Sequence, residues 1–164
     1  MKRLLIMRHA KSAWPDGVDD HDRPLNKRGN QAAPKMAHLL LQKGYLPDAA
    51  IVSSARRTQE TWTHMDEIFQ LNEVEIPMET ESSFYMAGLG AIQQKLLHSK
   101  RGDTLLVLGH NYGWSDTVAR LSGRHIELKT ANIAVLEHSG NTWSEAIRKT
   151  NWVLTDFITP RDTL

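Results

Sequence analysis

Three short stretches of this chain end apolar runs in residues suited to holding a phosphoryl group. LLIMRHA sets Arg8 and His9 directly after Leu4 to Met7. SSARRTQET follows the apolar Ala49 to Val52 and carries Arg56 and Arg57 between Ser53 and Thr61. LLVLGHN places His110 and Asn111 after Thr104 to Leu108. The residues just after each run, Arg8 and His9, Ser53 to Arg57, and Gly109 to Asn111, supply two histidines and at least two arginines with no carboxylate among them, and such a set suits a dianion. The planar fork of arginine matches phosphate oxygens bidentately, and charge-assisted bonds of this kind contribute about 1.5–3 kcal/mol each. Ser53 and Ser54 have no evident base, whereas an imidazole can attack phosphorus itself and carry the phosphoryl group as a covalent intermediate. Nearby guanidinium groups disfavour protonation of that imidazole and keep one nitrogen free to attack. His9, with Arg8 alongside, is therefore the candidate nucleophile.

Bringing these groups together requires a sheet whose strand ends share one edge. The runs Leu4 to Met7, Ala49 to Val52, Thr104 to Leu108 and Ile133 to Leu136 are short and almost continuously apolar, as in strands covered on both faces. Helical periodicities lie between them. One follows Asn26, a suitable N-cap, and runs through Met36, Leu39 and Leu40 to Gly44, with a kink or restart expected at Pro34. A second covers about Arg56 to Phe69 and puts Trp62, Met65, Ile68 and Phe69 on one stripe. A third spans roughly Ala91 to Leu97, and a fourth follows Gly113 and ends at Gly123. After a turn at Ser139 to Asn141, Trp143 to Lys149 and Trp152 to Ile158 read as extended segments. This order predicts an α/β fold with a mostly parallel central sheet flanked by helices on both faces. Ligands of such sheets bind outside the carboxyl ends of the strands.

With 164 residues, no repeat and no linker-like shift in composition, the chain reads as one domain over residues 1–164. It has no cysteine, which excludes thiol catalysis and disulfides and suits a reducing compartment. The first apolar run is too short for a secretory signal, and none reaches the roughly 18 residues of a membrane span. The expectation is a soluble, cytoplasmic protein. Its net charge of +1 gives no global pull toward nucleic acid or membrane. Eight histidines invite a metal, but the acidic DGVDDHD at Asp16 to Asp22 lacks the order of a calcium loop and HExxH is absent, so no metal or other cofactor is expected. That loop reads equally well as a rim element beside the pocket or as a solvated turn. The histidines at 21, 38, 64, 98, 125 and 138 read as surface residues.

Arg8 and His9 in LLIMRHA, SSARRTQET and GHN, in this order and spacing, resemble the signature blocks of the histidine phosphatase superfamily, also called phosphoglycerate mutase-like. DRPLNKRG at Asp22 to Gly29, APKMA at Ala33 to Ala37 and the terminal WVLTDFITP further resemble the short SixA-type phosphohistidine phosphatases. The resemblance implies His9 as the residue that becomes phosphohistidine, with Arg8 binding the phosphoryl oxygens. It selects Arg57 over Arg56 as the second phosphate-binding arginine, and makes His110 the second histidine, donating to the phosphoryl group in the transition state. Ser12 and Asn111 are further candidates for substrate contact. Ala10 stands where the commonest motif has glycine. Larger members carry a glutamate that protonates the leaving oxygen, and here only Glu81, or less well Glu79, could take that place.

SixA-type relatives typically lack that acid, and a phosphoramidate nitrogen leaves well once protonated. Its absence would point to phosphohistidine in a protein as the substrate, and the short chain shows no insertion that could roof the pocket. The reading is therefore a metal-independent protein phosphohistidine phosphatase. A small-molecule phosphomonoesterase of the same superfamily is the nearer alternative, and a non-catalytic phosphate-binding module the more distant one.

Overall fold

The computed structural model describes residues 1–164. Its strands are β1 (Lys2–Arg8), β2 (Ala49–Ser53), β3 (Met78–Glu81), β4 (Thr104–Gly109), β5 (Ile133–His138) and β6 (Val153–Ile158). Its helices are α1 (Lys27–Lys43), α2 (Arg56–Leu71), α3 (Leu89–Leu96), α4 (Gly113–Ser122) and the one-turn α5 (Trp143–Ala146), with 3-10 turns at Asp20–Asp22 and Ser82–Phe84. The strands form one sheet in the order β3-β2-β4-β1-β5-β6. β3, β2, β4 and β1 pair in parallel, while β5 and β6 are antiparallel additions. The sheet is mostly parallel and helices cover both of its faces, as expected.

Period-two alternation explains why the central strands look uniformly apolar. Leu5 and Met7 of β1, with Leu106 and Leu108 of β4, face α1 and α2 and join Met36, Leu40, Trp62, Met65 and Phe69. Leu4, Ile6, Leu105 and Val107 point the other way and pack with Ile92, Trp114, Val118 and Trp143. A strand buried on both faces leaves its carboxyl end as the first place where a polar side chain is tolerated.

Two expectations need correction. α1 does not restart at Pro34 but continues as one helix between its caps, Asn26, whose side chain accepts from Gly29 N, and Gly44 in the left-handed region. Proline removes one helical N–H and crowds the carbonyl four residues back. That residue is the exposed Asn30, and burial of Ala33, Met36 and Ala37 around the proline holds the helix in place. Trp143 onward is not extended either. Thr142 Oγ1 accepts from Glu145 N at 3.1 Å, which starts α5 and leaves only Val153–Ile158 as a strand. Thr142 to Glu145 is a capping-box sequence, the mark of a helix start rather than of an extended segment.

β3 was not anticipated. It is four residues long, half exposed and carries Glu79 and Glu81 on an edge, so it gives no hydrophobic signal.

Gly109 ends β4 against α4. A Cβ there would lie 2.5 Å from the Trp114 indole, whose Nε1 donates to Val107 O at 3.1 Å. Because both sides of this contact are buried, Gly109→Ala is expected to lower stability by about 1–3 kcal/mol in urea unfolding, through forced displacement of Trp114. An unchanged midpoint would show that the indole relocates freely.

Candidate active site

The carboxyl ends of β1, β2 and β4 lie side by side, and His9 follows β1, Arg57 lies in the first turn of α2 after β2, and His110 follows β4. His9 and His110 are 5% and 1% exposed, with ring centroids 5.4 Å apart. His9 Nδ1 lies 2.7 Å from the carbonyl of Ala10, which can only accept, so the proton resides on Nδ1. Nε2 is then the bare nitrogen, and it receives a hydrogen bond from Arg57 Nε at 3.3 Å. The backbone that presents this ring is pinned as well: Ala10 N donates to Thr61 Oγ1 at 3.0 Å, and Thr61 Oγ1 donates to Arg57 O at 2.7 Å. One threonine thus ties the His9 loop to the helix that carries Arg57.

Two buried donors face no partner. Arg8 donates from Nη1 to Leu128 O at 3.2 Å, yet its Nε makes no hydrogen bond. His110 Nε2 lies 2.7 Å from Ser53 Oγ, and its Nδ1 is likewise unpartnered. With the Ser53 hydroxyl donating to Nε2, Nδ1 carries the remaining proton. Unmet donors in a buried position are costly unless a ligand satisfies them; the ring of His110 lies 5.4 Å from that of His9, and the Arg8 charge is near enough to act on His9.

Burial lowers the pKa of His9 to about 3, helped by the guanidinium groups of Arg57, Arg8 and Arg23. Burial also lowers that of His110 to about 3, with His9 and Arg57 adding to it. Both imidazoles are therefore neutral at pH 7, which a nucleophilic His9 requires.

The structure adds groups to the pocket that the sequence reading did not place there. Asp20 enters from the acidic loop and accepts from Arg57 Nη2 at 3.0 Å and Arg23 Nε at 3.0 Å, while its carbonyl accepts from Arg57 Nη1 at 2.7 Å. Tyr85, just after the Ser82–Phe84 turn, donates its hydroxyl to the same carboxylate and sets its ring edge-on to His110. The Tyr85 hydroxyl, with Arg57 and Arg23, holds the Asp20 carboxyl well below its usual range. The expectation of a pocket without a carboxylate is corrected, and the acidic loop is a rim element. His21 is the surface residue expected, its side chain 43% exposed, and it also reaches the rim: its Nε2 lies 2.9 Å from Ser54 Oγ and its ring packs on Tyr85. Both serines therefore do meet imidazoles. Ser53 is wholly buried, so its hydroxyl orients His110.

The remaining candidates are engaged elsewhere. Ser12 Oγ accepts from Arg23 Nη1 at 2.9 Å. Asn111 donates to Leu128 O at 2.7 Å and accepts from Ser115 N and Oγ, a role that braces the start of α4. Glu81 accepts from Ser83 N and Oγ and pairs with Lys95 at 3.1 Å, contacts that lower its pKa. A proton donor needs the opposite shift, so Glu81 is a poor general acid. Glu79 pairs with Lys95 and Arg101. No three acidic or histidine side chains gather in a way that could hold a metal ion, and no helix is long and apolar enough to cross a membrane. Asp20, Arg23, Thr61 and Tyr85 were missed as site residues. Arg23 lay within the quoted DRPLNKRG and Thr61 closed SSARRTQET, whereas Tyr85 had no signal at all.

Residues 4–95 match the histidine phosphatase superfamily (branch 1). An uncharacterized chloroplastic protein of Arabidopsis thaliana is 38% identical over 97% of this chain and 78% of its own length. An uncharacterized protein of Mycobacterium tuberculosis is 33% identical over 85% of this chain and 90% of its own. The chain belongs to the histidine phosphatase superfamily, branch 1. Its fold is similar to that of a protein from Agrobacterium tumefaciens provisionally described as the phosphohistidine phosphatase SixA, with a TM-score of 0.82 and 25% identity over 97% and 98% of the two chains. It is also similar to that of a protein histidine phosphatase SixA solved with tungstate, with a TM-score of 0.79 and 21% identity over 96% and 97%.

The lowered imidazole pKa values set a sign for pH dependence. Histidines of the unfolded chain titrate near 6.5, so between about pH 6.5 and 3 unfolding takes up protons at His9 and His110. Acidification across that window is expected to destabilise the fold by up to about 1.4 kcal/mol per pH unit for each imidazole. Imidazole NMR should show both rings neutral at pH 5, and a midpoint between pH 6 and 7 for either would contradict the assignment.

Proposed function

We propose that this protein is a metal-independent phosphatase that hydrolyses phosphohistidine in proteins through a phosphoenzyme on His9. The observation that carries the reading is the bare, neutral Nε2 of His9 held against Arg57, with the Asp20 carboxylate kept ionised by Tyr85, Arg57 and Arg23. In the first step the Nε2 lone pair of His9 attacks phosphorus in line. The bond from phosphorus to the substrate imidazole breaks, and its electron pair leaves with that nitrogen. Arg57, Arg8 and the Nδ1–H of His110 stabilise the charge on the equatorial oxygens. Water then attacks phospho-His9, releasing inorganic phosphate and a proton and restoring the neutral ring.

Substrate choice follows from the leaving group. An alkoxide must be protonated as it departs, and neither Asp20, held ionised by its hydrogen bonds, nor Glu81, whose pKa is lowered, is suited to do so. An imidazole is basic enough to take its proton from solvent and leave neutral, so a phosphoramidate needs no protein acid. The similarity to SixA phosphatases points the same way. The single sheet and its two helical layers extend from residue 2 to residue 158, and we take the chain to act as one domain. The cysteine-free composition favours a reducing compartment, and we place the protein in the cytoplasm.

A substrate panel tests this. A phosphohistidine peptide is expected to turn over at least about 100-fold faster than a sugar phosphate or an aryl phosphate, with Arg57→Ala lowering kcat by about 100- to 1,000-fold. Preference for the ester would overturn the substrate assignment, and full activity of His9→Ala would overturn the mechanism.

A further inference from the structure

A second surface opens on the same edge of the sheet. It is a groove of about 590 Å³ between the first turns of α1, the loop that precedes β5 and the residues that follow β6. Four cations line it: Arg28 and Lys35 from α1, Lys129 from the loop and Arg161 from the chain end. Glu127 is its only carboxylate, and Ala32, Phe157 and Pro160 are its only apolar residues. None of the four cations is in an ion pair, and only Lys35 is engaged, donating to the Pro160 carbonyl at 2.5 Å. On a chain whose net charge is only +1, this is a concentrated local excess.

The groove is coupled to the pocket through its wall. Leu128, between Glu127 and Lys129, accepts from both Arg8 Nη1 and Asn111 Nδ2. Ala131 N donates to the carbonyls of Arg8 and His9, and Arg8 N donates to Asn132 O. A chain lying in the groove therefore runs beside the residues that present the nucleophile.

We infer that the groove docks an acidic segment of the phosphorylated protein, next in space to the phosphohistidine it delivers. This rests on the proposed substrate class. A polypeptide fits better than a second small anion because the cations are spread over three chain segments, and Arg28, Lys129 and Arg161 are exposed. No buried cation converges on one point, as a phosphate pocket would demand. Several carboxylates spaced along a segment match that spread, and exposed charges of this kind steer encounter and favour correct partners.

Two synthetic peptides test the inference, each carrying one phosphohistidine and flanked on both sides either by glutamates or by glutamines. The wild-type protein should show a kcat/KM about tenfold higher for the glutamate peptide, carried by KM, and added salt should erase the difference. The triple variant R28E/K129E/R161E should lose that preference while processing the glutamine peptide as the wild type does. Equal handling of the two peptides by the wild type, or a preference that survives in the variant, overturns the inference. If neither peptide is turned over, the substrate reading itself fails, and fluorescence anisotropy with the unphosphorylated glutamate peptide then reads the groove alone. Salt-sensitive binding that the variant loses supports the groove, and absence of binding overturns it.

Discussion

Arg57 donates from Nε to Nε2 of His9 at 3.3 Å, and this contact constrains everything built around it. A guanidinium keeps its proton under all ordinary conditions, so the imidazole nitrogen it faces must accept and cannot itself be protonated. The opposite nitrogen is then committed to the Ala10 carbonyl. Burial, which disfavours the charged ring, acts in the same direction. A fixed cation, a single backbone acceptor and a dry environment thus define one tautomer and one exposed lone pair. The rigid parallel strands serve this arrangement, because a displacement of either loop by a fraction of an ångström would break it.

Holding several guanidinium groups around one imidazole creates a repulsive problem that Asp20 solves. Its carboxylate joins Arg57 and Arg23, while Tyr85 supplies a third hydrogen bond from the far side of the pocket. Arg23 is braced further by Ser12, the Ala13 carbonyl and the Trp14 ring, whose centroid lies 3.5 Å away. The cost of this solution is chemical: a carboxylate stabilised by two arginines is a poor acid. The same contacts that assemble the phosphate site therefore bias it toward leaving groups that need no help in departing.

The central strands, four of the helices and the cluster of His9, Arg8, Arg57 and His110 were legible because each is specified locally. Continuous apolar runs mark strands buried on both faces, and a polar residue at their ends has nowhere to go but the sheet edge. Asn26 and Gly44 marked both ends of α1 through capping chemistry alone. Asp20 and Tyr85 were not legible, since they meet across 65 residues through two loops with no periodicity. Asn111 and Glu81 show the converse. Their residue types suited substrate contact and proton donation, but Ser115 and Lys95 lie where they claim those side chains first. Pro34 shows that a local rule can be outweighed by packing, since α1 is anchored on the core at both sides of it.

The position of the phosphoryl group on the enzyme tests this picture most directly. Brief exposure to a labelled phosphodonor, quenching in alkali and sequencing of the labelled peptide would locate the bond. The expected product carries phosphorus on Nε2 of His9, as the Ala10 contact at Nδ1 requires. Label on Nδ1 of that ring, on Ser53 or on His110 would contradict it.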